Sequence, residues 1–215
     1  PTNNSEIDFR GWEWRYLWGQ CQSDADSVFC KTTNGIASLS VSHDGAWLAL
    51  GLINTGVSIR ELATGQEIAR LPSSGPILRV AFSPREPLLA YSDVPKFGSS
   101  STNYCIHLWD GASRREVSTL PLSYYCYGVA FSEDGRILVT STQNIDNDPA
   151  LPGFVTLWRV SDGSMVTNYP APQYGTVEGT SFAVARDLSV AAHQTEDNKV
   201  RVINLATGRQ LWEPR

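Results

Sequence analysis

A single pattern occurs four times in this sequence, and it restricts the chain to a repeated β architecture. Each copy contains a strand, a short turn, a second strand, an insertion, a third strand, another turn and a fourth strand. The copies span residues 35–75, 76–123, 124–173 and 174–215. Self-similarity with a period of about 40–50 residues is typical of a propeller or a solenoid. The sequence therefore predicts an all-β fold of four similar units within residues 27–215.

Turn residues and strand alternation define the units. The turn between the first and second strands reads Ser-His-Asp-Gly at 42–45 and Ser-Glu-Asp-Gly at 132–135. Asp-Gly turns between strands with a period of two are typical of antiparallel sheets. The predicted strands cover residues 36–42, 47–53, 57–62, 67–71, 77–83, 88–93, 104–110, 116–120, 126–132, 137–142, 154–160, 164–169, 179–185, 189–193, 199–205 and 209–213.

The first strand of each unit differs in composition from the fourth. First strands such as residues 78–82 and 127–131 are mostly apolar and contain small residues, as expected near a crowded axis. Fourth strands such as residues 67–71 alternate apolar and polar side chains, as expected of outer strands that face solvent. This gradient favours a propeller over a β-helix or a flat sandwich.

Residues 35–215 resemble the WD-repeat β-propellers. The resemblance rests on the Asp-Gly turns, on third strands that read Leu-Trp-Asp at 108–110 and Leu-Trp-Arg at 157–159, and on the Ala-Thr-Gly turn at 63–65. The Gly-His pair that often opens a WD repeat is absent, and only Trp109 is followed by Asp. The hydrogen-bond network of that family is therefore not carried over. The resemblance implies a rigid platform of blades that binds other proteins.

A narrower resemblance involves residues 8–17, which read Asp-Phe-Arg-Gly-Trp-Glu-Trp-Arg-Tyr-Leu. This segment is similar to the one that leads into C-terminal WD repeats of large bacterial serine/threonine kinases of the planctomycete–verrucomicrobial type. The resemblance implies a regulatory or recruiting region of a larger signalling protein. The chain carries none of the kinase motifs and begins at Pro1 without a Met, so we expect a piece of a longer protein.

Residues 1–26 form a Trp-rich lead-in to the repeats. Trp14, Leu17, Trp18 and Cys21 have the spacing i, i+3, i+4, i+7, which predicts one face of a short helix. Residues 27–31 then predict a spare strand. Four units plus one strand do not close a ring, so we expect a truncated larger propeller or a homodimer that completes one ring. A closed ring of four blades is the third choice.

Composition argues against several classes of function. The net charge of −5 offers no electrostatic case for nucleic acid, and no apolar run reaches the ~18–20 residues that cross a bilayer. The irregular spacing of Cys21, Cys30, Cys105 and Cys126 does not resemble the paired cysteines of a zinc site, so buried free thiols on strands or a helix are expected. We favour a cytoplasmic location. The alternative is an extracytoplasmic region of a membrane-anchored parent, where a disulfide could form.

Catalytic and cofactor motifs are missing. His43, His107 and His193 lie in different units without neighbouring ligands along the chain, which predicts surface or turn roles. Nucleophile elbows, paired zinc-protease histidines and phosphate loops are absent, so we expect no enzyme activity and no cofactor. The acidic residues at 146–148 resemble a Ca²⁺ turn, but a complete site needs six or more oxygens. We interpret them as a solvated turn.

Two long insertions between second and third strands, residues 94–103 and 143–153, are candidate binding elements. Equivalent loops of neighbouring blades emerge on one propeller face, and long loops tend to bind or gate. The predicted partner-binding residues on these loops are Lys96, Phe97, Asp146 and Asp148. Phe97 is the best single anchor, because it is an aromatic side chain in a polar loop. The alternative is that these loops tolerate insertions and have no role in binding.

Tyrosines at the start of the third unit complete the candidate surface. Tyr124 and Tyr125 are predicted to bind a partner, together with Tyr127, and packing between neighbouring sheets is the alternative. The predicted function is a non-catalytic scaffold for protein–protein interaction. A small-ligand or carbohydrate sensor, with the tyrosines and the long loops as its pocket, remains the alternative.

Overall fold

The computed structural model of the chain describes residues 28–73, 75–77, 79–95, 103–143, 153–171, 182–194 and 200–212. The chain divides into two compact units, Pro1–Lys31 and Thr32–Arg215. The second unit contains four antiparallel sheets of four strands each, and no helix occurs among its described residues. The predicted all-β class is therefore confirmed for this part of the chain. Within the described ranges, no helix is long and apolar enough to cross a bilayer.

Each sheet is a meander in which strands that are consecutive in the chain pair with one another. This order needs only short, local connections. The first sheet contains β1 (Ile36–Val41), β2 (Trp47–Leu52), β3 (Gly56–Glu61) and β4 (Glu67–Leu71), and the second contains β5 (Val80–Phe82), β6 (Leu88–Asp93), β7 (Tyr104–Asp110) and β8 (Arg115–Leu122). The third contains β9 (Tyr125–Phe131), β10 (Ile137–Gln143), β11 (Gly153–Arg159) and β12 (Met165–Ala171), and the fourth contains β13 (Phe182–Val184), β14 (Val190–Gln194), β15 (Val200–Asn204) and β16 (Gln210–Trp212).

Local hydrogen bonds explain the turn between β1 and β2. Asp44 Oδ1 accepts hydrogen bonds from the Ser42 hydroxyl at 2.6 Å and from the Ala46 amide at 3.0 Å. The Ser42 hydroxyl oxygen in turn accepts one from the Trp47 amide at 2.9 Å. Gly45 has a φ of 69°, in the left-handed region that favours glycine. The same bonds recur in the turn after β9, on Ser132, Asp134, Arg136 and Ile137.

Consecutive sheets pack face to face through three apolar cores. The first core contains Ile59 and Leu89, the second contains Leu108 and Leu138, and the third contains Val155 and Ile203. Complete burial of one such aliphatic side chain contributes about 1.5–3 kcal/mol. Strand pairing within each sheet and these cores between sheets together hold the second unit in one arrangement.

The first strands of neighbouring sheets also touch one another: β1 contacts β5, β5 contacts β9, and β9 contacts β13. As the first strand of its sheet, β5 has one backbone edge without a partner strand. The hydroxyls of Ser38 and Ser40 on β1 accept hydrogen bonds from the amides of Val80 and Phe82, at 3.1 and 2.9 Å. Side chains of the first sheet thus accept hydrogen bonds from backbone amides at the edge of β5, which has no partner strand on that side.

Strand β5 is shorter than the predicted strand at 77–83. The amide of Arg79 donates to the Ser92 hydroxyl at 2.9 Å, and the Ser92 amide donates to the Arg79 carbonyl at 3.0 Å. The Ser92 side chain therefore replaces a backbone acceptor next to Val80, where the regular ladder begins. A serine on the neighbouring strand decides this boundary, which residues 77–83 alone do not encode.

The spare strand predicted at residues 27–31 is wrong for the residues that are described. Residues 28–31 are not in a strand, and Val28 and Phe29 are 70% and 39% exposed. An extended segment becomes a strand only when its backbone pairs with an edge, and every described strand pairs within one of the four sheets. The short helix predicted within residues 1–26 lies outside the described residues.

The first and fourth sheets expose apolar side chains. Leu39 and Val41 on β1 are 63% and 49% exposed, and Leu211 on β16 is 54% exposed. Apolar side chains on the terminal sheets of an array are suited to packing against a further sheet. Completion of a ring by a second chain, or by the rest of a larger propeller, stays a prediction.

Candidate functional site

Neighbouring strands of the second sheet bring polar side chains with ligand chemistry to one face. Strands β6 and β7 pair so that Tyr91 lies opposite His107 and Asp93 lies opposite Cys105. Residues two apart on a strand share a face, which places these four side chains together. Strand β8 brings Glu116 to His107. We call Asp93, Cys105, His107 and Glu116 the histidine cluster.

Both ring nitrogens of His107 have partners in this cluster. Nε2 lies 3.2 Å from Cys105 Sγ and 3.6 Å from Asp93 Oδ2, and Nδ1 lies 2.9 Å from Glu116 Oε1. The Thr119 hydroxyl donates to the same Glu116 oxygen at 2.7 Å, which orients the carboxylate. The ring of Tyr91 stacks on the imidazole with centroids 5.0 Å apart. The His107 ring is therefore held in one orientation.

The charges of the cluster depend on one another. Burial lowers the pKa of His107, but hydrogen bonds to Asp93, Cys105 and Glu116 outweigh it and raise that pKa above its usual range. Burial raises the pKa of Glu116, and hydrogen bonds from Thr119 and His107 reverse this and lower it. In the absence of other cations, a protonated imidazole between carboxylates is the expected state at neutral pH.

The cluster borders an open groove of about 390 Å³ between the end of the first sheet and the second sheet. Pro72 and Ser73 form one side, and Asp93, His107 and Glu116 line the other. The Asp93 and His107 side chains are 14% and 18% exposed, so solvent reaches both. A small ligand or ion could reach the cluster through this groove.

Five partly exposed aromatic residues form a second candidate site where the second and third sheets meet. The Tyr125 ring lies 4.8 Å from that of Tyr104 and 6.4 Å from that of Tyr127, between ring centroids. The rings of Tyr124 and Phe154 are nearly parallel, at 2°, with centroids 6.4 Å apart. The peptide bond between Tyr124 and Tyr125 joins the two groups. We call these five residues the aromatic surface.

The aromatic surface lies where both long insertions leave and re-enter the sheets. Tyr104 is the first residue of β7 and directly follows the first insertion. Phe154 is the second residue of β11 and directly follows the second insertion, and Tyr125 pairs with Gln143, the last residue of β10, where that insertion begins. The equivalent ends of two neighbouring sheets thus carry the rings.

Only some of the predicted site residues can be placed. Lys96, Phe97, Asp146 and Asp148 lie outside the described residues. Tyr124 and Tyr125 lie in the aromatic surface, and their role in binding stays a prediction. Sequence reasoning missed Tyr104 and Phe154, although each directly flanks a predicted insertion, which was the available signal.

The prediction of surface or turn roles is wrong for two of the three histidines. His43 is exposed in the turn after β1. His107 lies on β7 among two carboxylates and a thiol, and His193 lies on β14 and is 2% exposed. Asp93 and Glu116 come from neighbouring strands and are distant in the chain, so local sequence could reveal only Cys105 among the partners of His107. The Cys-x-His spacing at 105–107 on a predicted strand was the missed signal, because it places both side chains on one face.

The described cysteines have free thiols, but their predicted burial is confirmed only for Cys126. Cys30 and Cys105 are partly exposed, Cys126 is buried, and Cys21 lies outside the described residues. Burial raises the pKa of the Cys126 thiol to about 12. The lack of paired cysteines does not exclude a zinc site, because Cys105 lies beside a histidine and a carboxylate.

No protein-family model matches the chain.

Proposed function

We propose that the chain is a non-catalytic scaffold for protein–protein interaction, in which the four sheets are blades of a WD-type propeller and the aromatic surface binds the partner. The observation that carries this proposal is the mutual contact of partly exposed rings at the ends of two neighbouring sheets. The resemblance of the repeats to WD propellers supports the same function, as part of a larger signalling protein.

Ring contacts within the aromatic surface reduce the entropic cost of binding. A tyrosine has few rotatable bonds, and rings that already pack on one another lose little further freedom when a partner covers them. Tyrosine is enriched among the residues that dominate binding energy, because its ring buries a large area while its hydroxyl bonds polar groups. Tyr104, Tyr125 and Tyr127 form a continuous series of this kind.

The surroundings of the rings favour an extended peptide with proline and aliphatic side chains. The residues that flank Tyr104 and pair with Tyr125 include Asn103 and Gln143, which are polar and uncharged. Such a surface offers rings on which apolar side chains can pack, and proline-rich segments dock on aromatic surfaces in this way.

A peptide-display selection on the purified chain tests this function. Peptides selected on the wild type are expected to bind Val117→Ala equally and to lose at least about tenfold in affinity for Tyr125→Ala and Tyr104→Ala. Val117 is the control because it is 56% exposed on β8, outside the aromatic surface. Circular dichroism verifies that each variant is folded.

Two results contradict the proposal. One is a selection whose peptides bind the tyrosine variants as well as the wild type. The other is binding to immobilised oligosaccharides, lost in the same variants, without any selected peptide. That second result supports the sensor alternative, because aromatic rings also stack on sugar faces.

A further inference from the structure

We propose that Asp93, Cys105 and His107 form a Zn²⁺ site, and that Glu116 positions the imidazole of His107 for it. The three ligand atoms lie within 4.8 Å of one another on the second sheet. This site goes beyond the proposed scaffold function, because its ligands include none of the five rings of the aromatic surface.

The donor set matches the chemistry of zinc. Zn²⁺ takes thiolate sulfur, imidazole nitrogen and carboxylate oxygen, and the cluster offers one of each. Ca²⁺ and Mg²⁺ prefer six or more oxygen ligands or octahedral oxygen geometry, which one carboxylate does not supply. The thiol and the imidazole therefore select a transition-metal ion, and zinc suits a four-coordinate site with mixed ligands.

The distances between the donors are already near those of a coordinated ion. Tetrahedral zinc with ordinary bond lengths places its sulfur and nitrogen ligands about 3.6 Å apart and its nitrogen and oxygen ligands about 3.4 Å apart. The observed separations are 3.2 Å from Cys105 Sγ to His107 Nε2 and 3.6 Å from Asp93 Oδ2 to the same nitrogen. These two separations differ from the tetrahedral values by a few tenths of an ångström, and the third, between Cys105 Sγ and the Asp93 carboxylate, is at most 4.8 Å.

The outer contacts of His107 are those of a metal-binding histidine. A histidine that coordinates through one ring nitrogen commonly donates the other N–H to a carboxylate, which fixes the tautomer and the ring orientation. Here Nε2 faces the sulfur and Asp93, while Nδ1 lies 2.9 Å from Glu116 Oε1. The Thr119 hydroxyl holds Glu116, and the Tyr91 ring supports the imidazole face.

The strands give the site its rigidity, and the groove gives it access. Asp93 and Cys105 are paired residues of β6 and β7, which lie between other strands of the second sheet. Asp93 and His107 line the groove, so water can occupy the fourth position of a tetrahedral ion. Asp93 and Cys105 also flank the first insertion along the chain, so a bound ion cross-links the two strands at its base.

Titration of the chelator-treated protein with Zn²⁺, followed by calorimetry, is the primary test. The expected result is one ion per chain, with binding lost or weakened at least about 100-fold in Cys105→Ser. The matched controls are Cys30→Ser and His43→Gln, which remove a thiol and an imidazole elsewhere and are expected to bind as the wild type. Co²⁺ in place of Zn²⁺ is expected to show a sulfur-to-metal absorption band that Cys105→Ser abolishes.

Alkylation of the wild type removes any dependence on variants that fold poorly. Iodoacetamide is expected to label both Cys30 and Cys105 in the chelated protein, since both are partly exposed. Zn²⁺ is expected to protect Cys105 and leave the labelling of Cys30 unchanged, as read by mass spectrometry. Equal labelling of Cys105 with and without Zn²⁺ overturns the site.

The positioning role of Glu116 has its own signature. Glu116→Gln is expected to weaken Zn²⁺ binding by roughly 10- to 100-fold while the sulfur-to-cobalt band remains, because the three ligands are unchanged. Affinity equal to that of the wild type would overturn the positioning role. Absence of Zn²⁺ binding at millimolar concentration, or binding that Cys105→Ser leaves intact, overturns the metal site itself.

Discussion

His107 in the second sheet and His193 in the fourth are both withdrawn from solvent, yet their surroundings are opposite. The His107 side chain is 18% exposed, and both of its ring nitrogens face ligand-type groups. His193 is 2% exposed, and neither of its ring nitrogens has a hydrogen-bond partner among the described residues. Burial lowers the pKa of His193, whereas the pKa of His107 is raised by its neighbours despite burial.

The difference teaches that hydrogen-bond partners can outweigh burial in setting the charge of a histidine in this fold. The cost of desolvating an imidazolium acts on both side chains. For His107, hydrogen bonds to Asp93, Cys105 and Glu116 offset that cost. His107 is therefore suited to carrying a charge or binding a ligand, whereas His193 behaves as a neutral buried side chain.

The largest test of this comparison is His107→Leu, which we expect to lower the free energy of unfolding by about 1–3 kcal/mol. Leucine fills similar space but leaves the carboxylates of Asp93 and Glu116 without their shared donor. The figure is kept low because the Glu116 side chain is 43% exposed and water screens it. Urea unfolding at neutral pH with a chelator present provides the measurement. An unchanged or raised stability would show that the cluster is not held together by its charges.

The same substitution in the fourth sheet is expected to have the opposite sign. His193→Leu removes two buried nitrogens that have no hydrogen-bond partner in the described part of the chain, so we expect the free energy of unfolding to rise by about 1 kcal/mol. Urea unfolding under the conditions used for His107→Leu checks this, and the two variants serve as controls for each other. A loss of stability would mean that the His193 ring nitrogens make an interaction essential to the sheet.

The smallest effect is the pH dependence that His193 contributes. Because its pKa in the fold lies below the reference value of 6.5, the unfolded chain binds more protons as the pH falls past that value. Stability from this residue is complete above about pH 6.5 and decreases below it. His107, whose pKa is raised, acts in the opposite sense and loses its contribution as pH rises through its folded pKa.

The free energy of unfolding is measured against pH for the wild type and for His193→Leu, and the difference between the two curves isolates this effect. Between about pH 7.5 and 5, we expect the difference in unfolding free energy to change by less than about 1 kcal/mol, with the wild type losing more at the acidic end. This range avoids the titration of turn carboxylates such as Asp44, whose pKa is lowered by the Ser42 hydrogen bond. Parallel curves would contradict a lowered pKa of His193.

Most of the β architecture could be predicted because its signals are local. The turn after β1 needs only Ser42, Asp44 and Gly45, which contact residues within five positions. Alternation then defines the strands on either side, and each strand pairs with a strand next to it in the chain, between residues at most 22 positions apart. The spare strand at 27–31 failed because extended propensity without a partner edge does not make a strand.

The candidate sites could be predicted only in part. Tyr124 and Tyr125 were identified as a local cluster, but their contacts with Tyr104 and Phe154 join residues of different strands. The histidine cluster was missed altogether, since its carboxylates are 14 residues before and 9 residues after His107 in the chain. Sequence motifs for metal sites place their ligands at short spacings within one segment. The register of a sheet instead brings together ligands that are far apart in the chain.

The amino-acid sequence by itself determined the repeat, the all-β class and the turn geometry, because these depend on interactions between residues close along the chain. Tertiary structure alone decided that His107 meets Asp93, Cys105 and Glu116, while neither ring nitrogen of His193 has a hydrogen-bond partner among the described residues. The physical reason is register. A shift of one residue between β6 and β7 would move every side chain of one strand to the other face and separate the cluster.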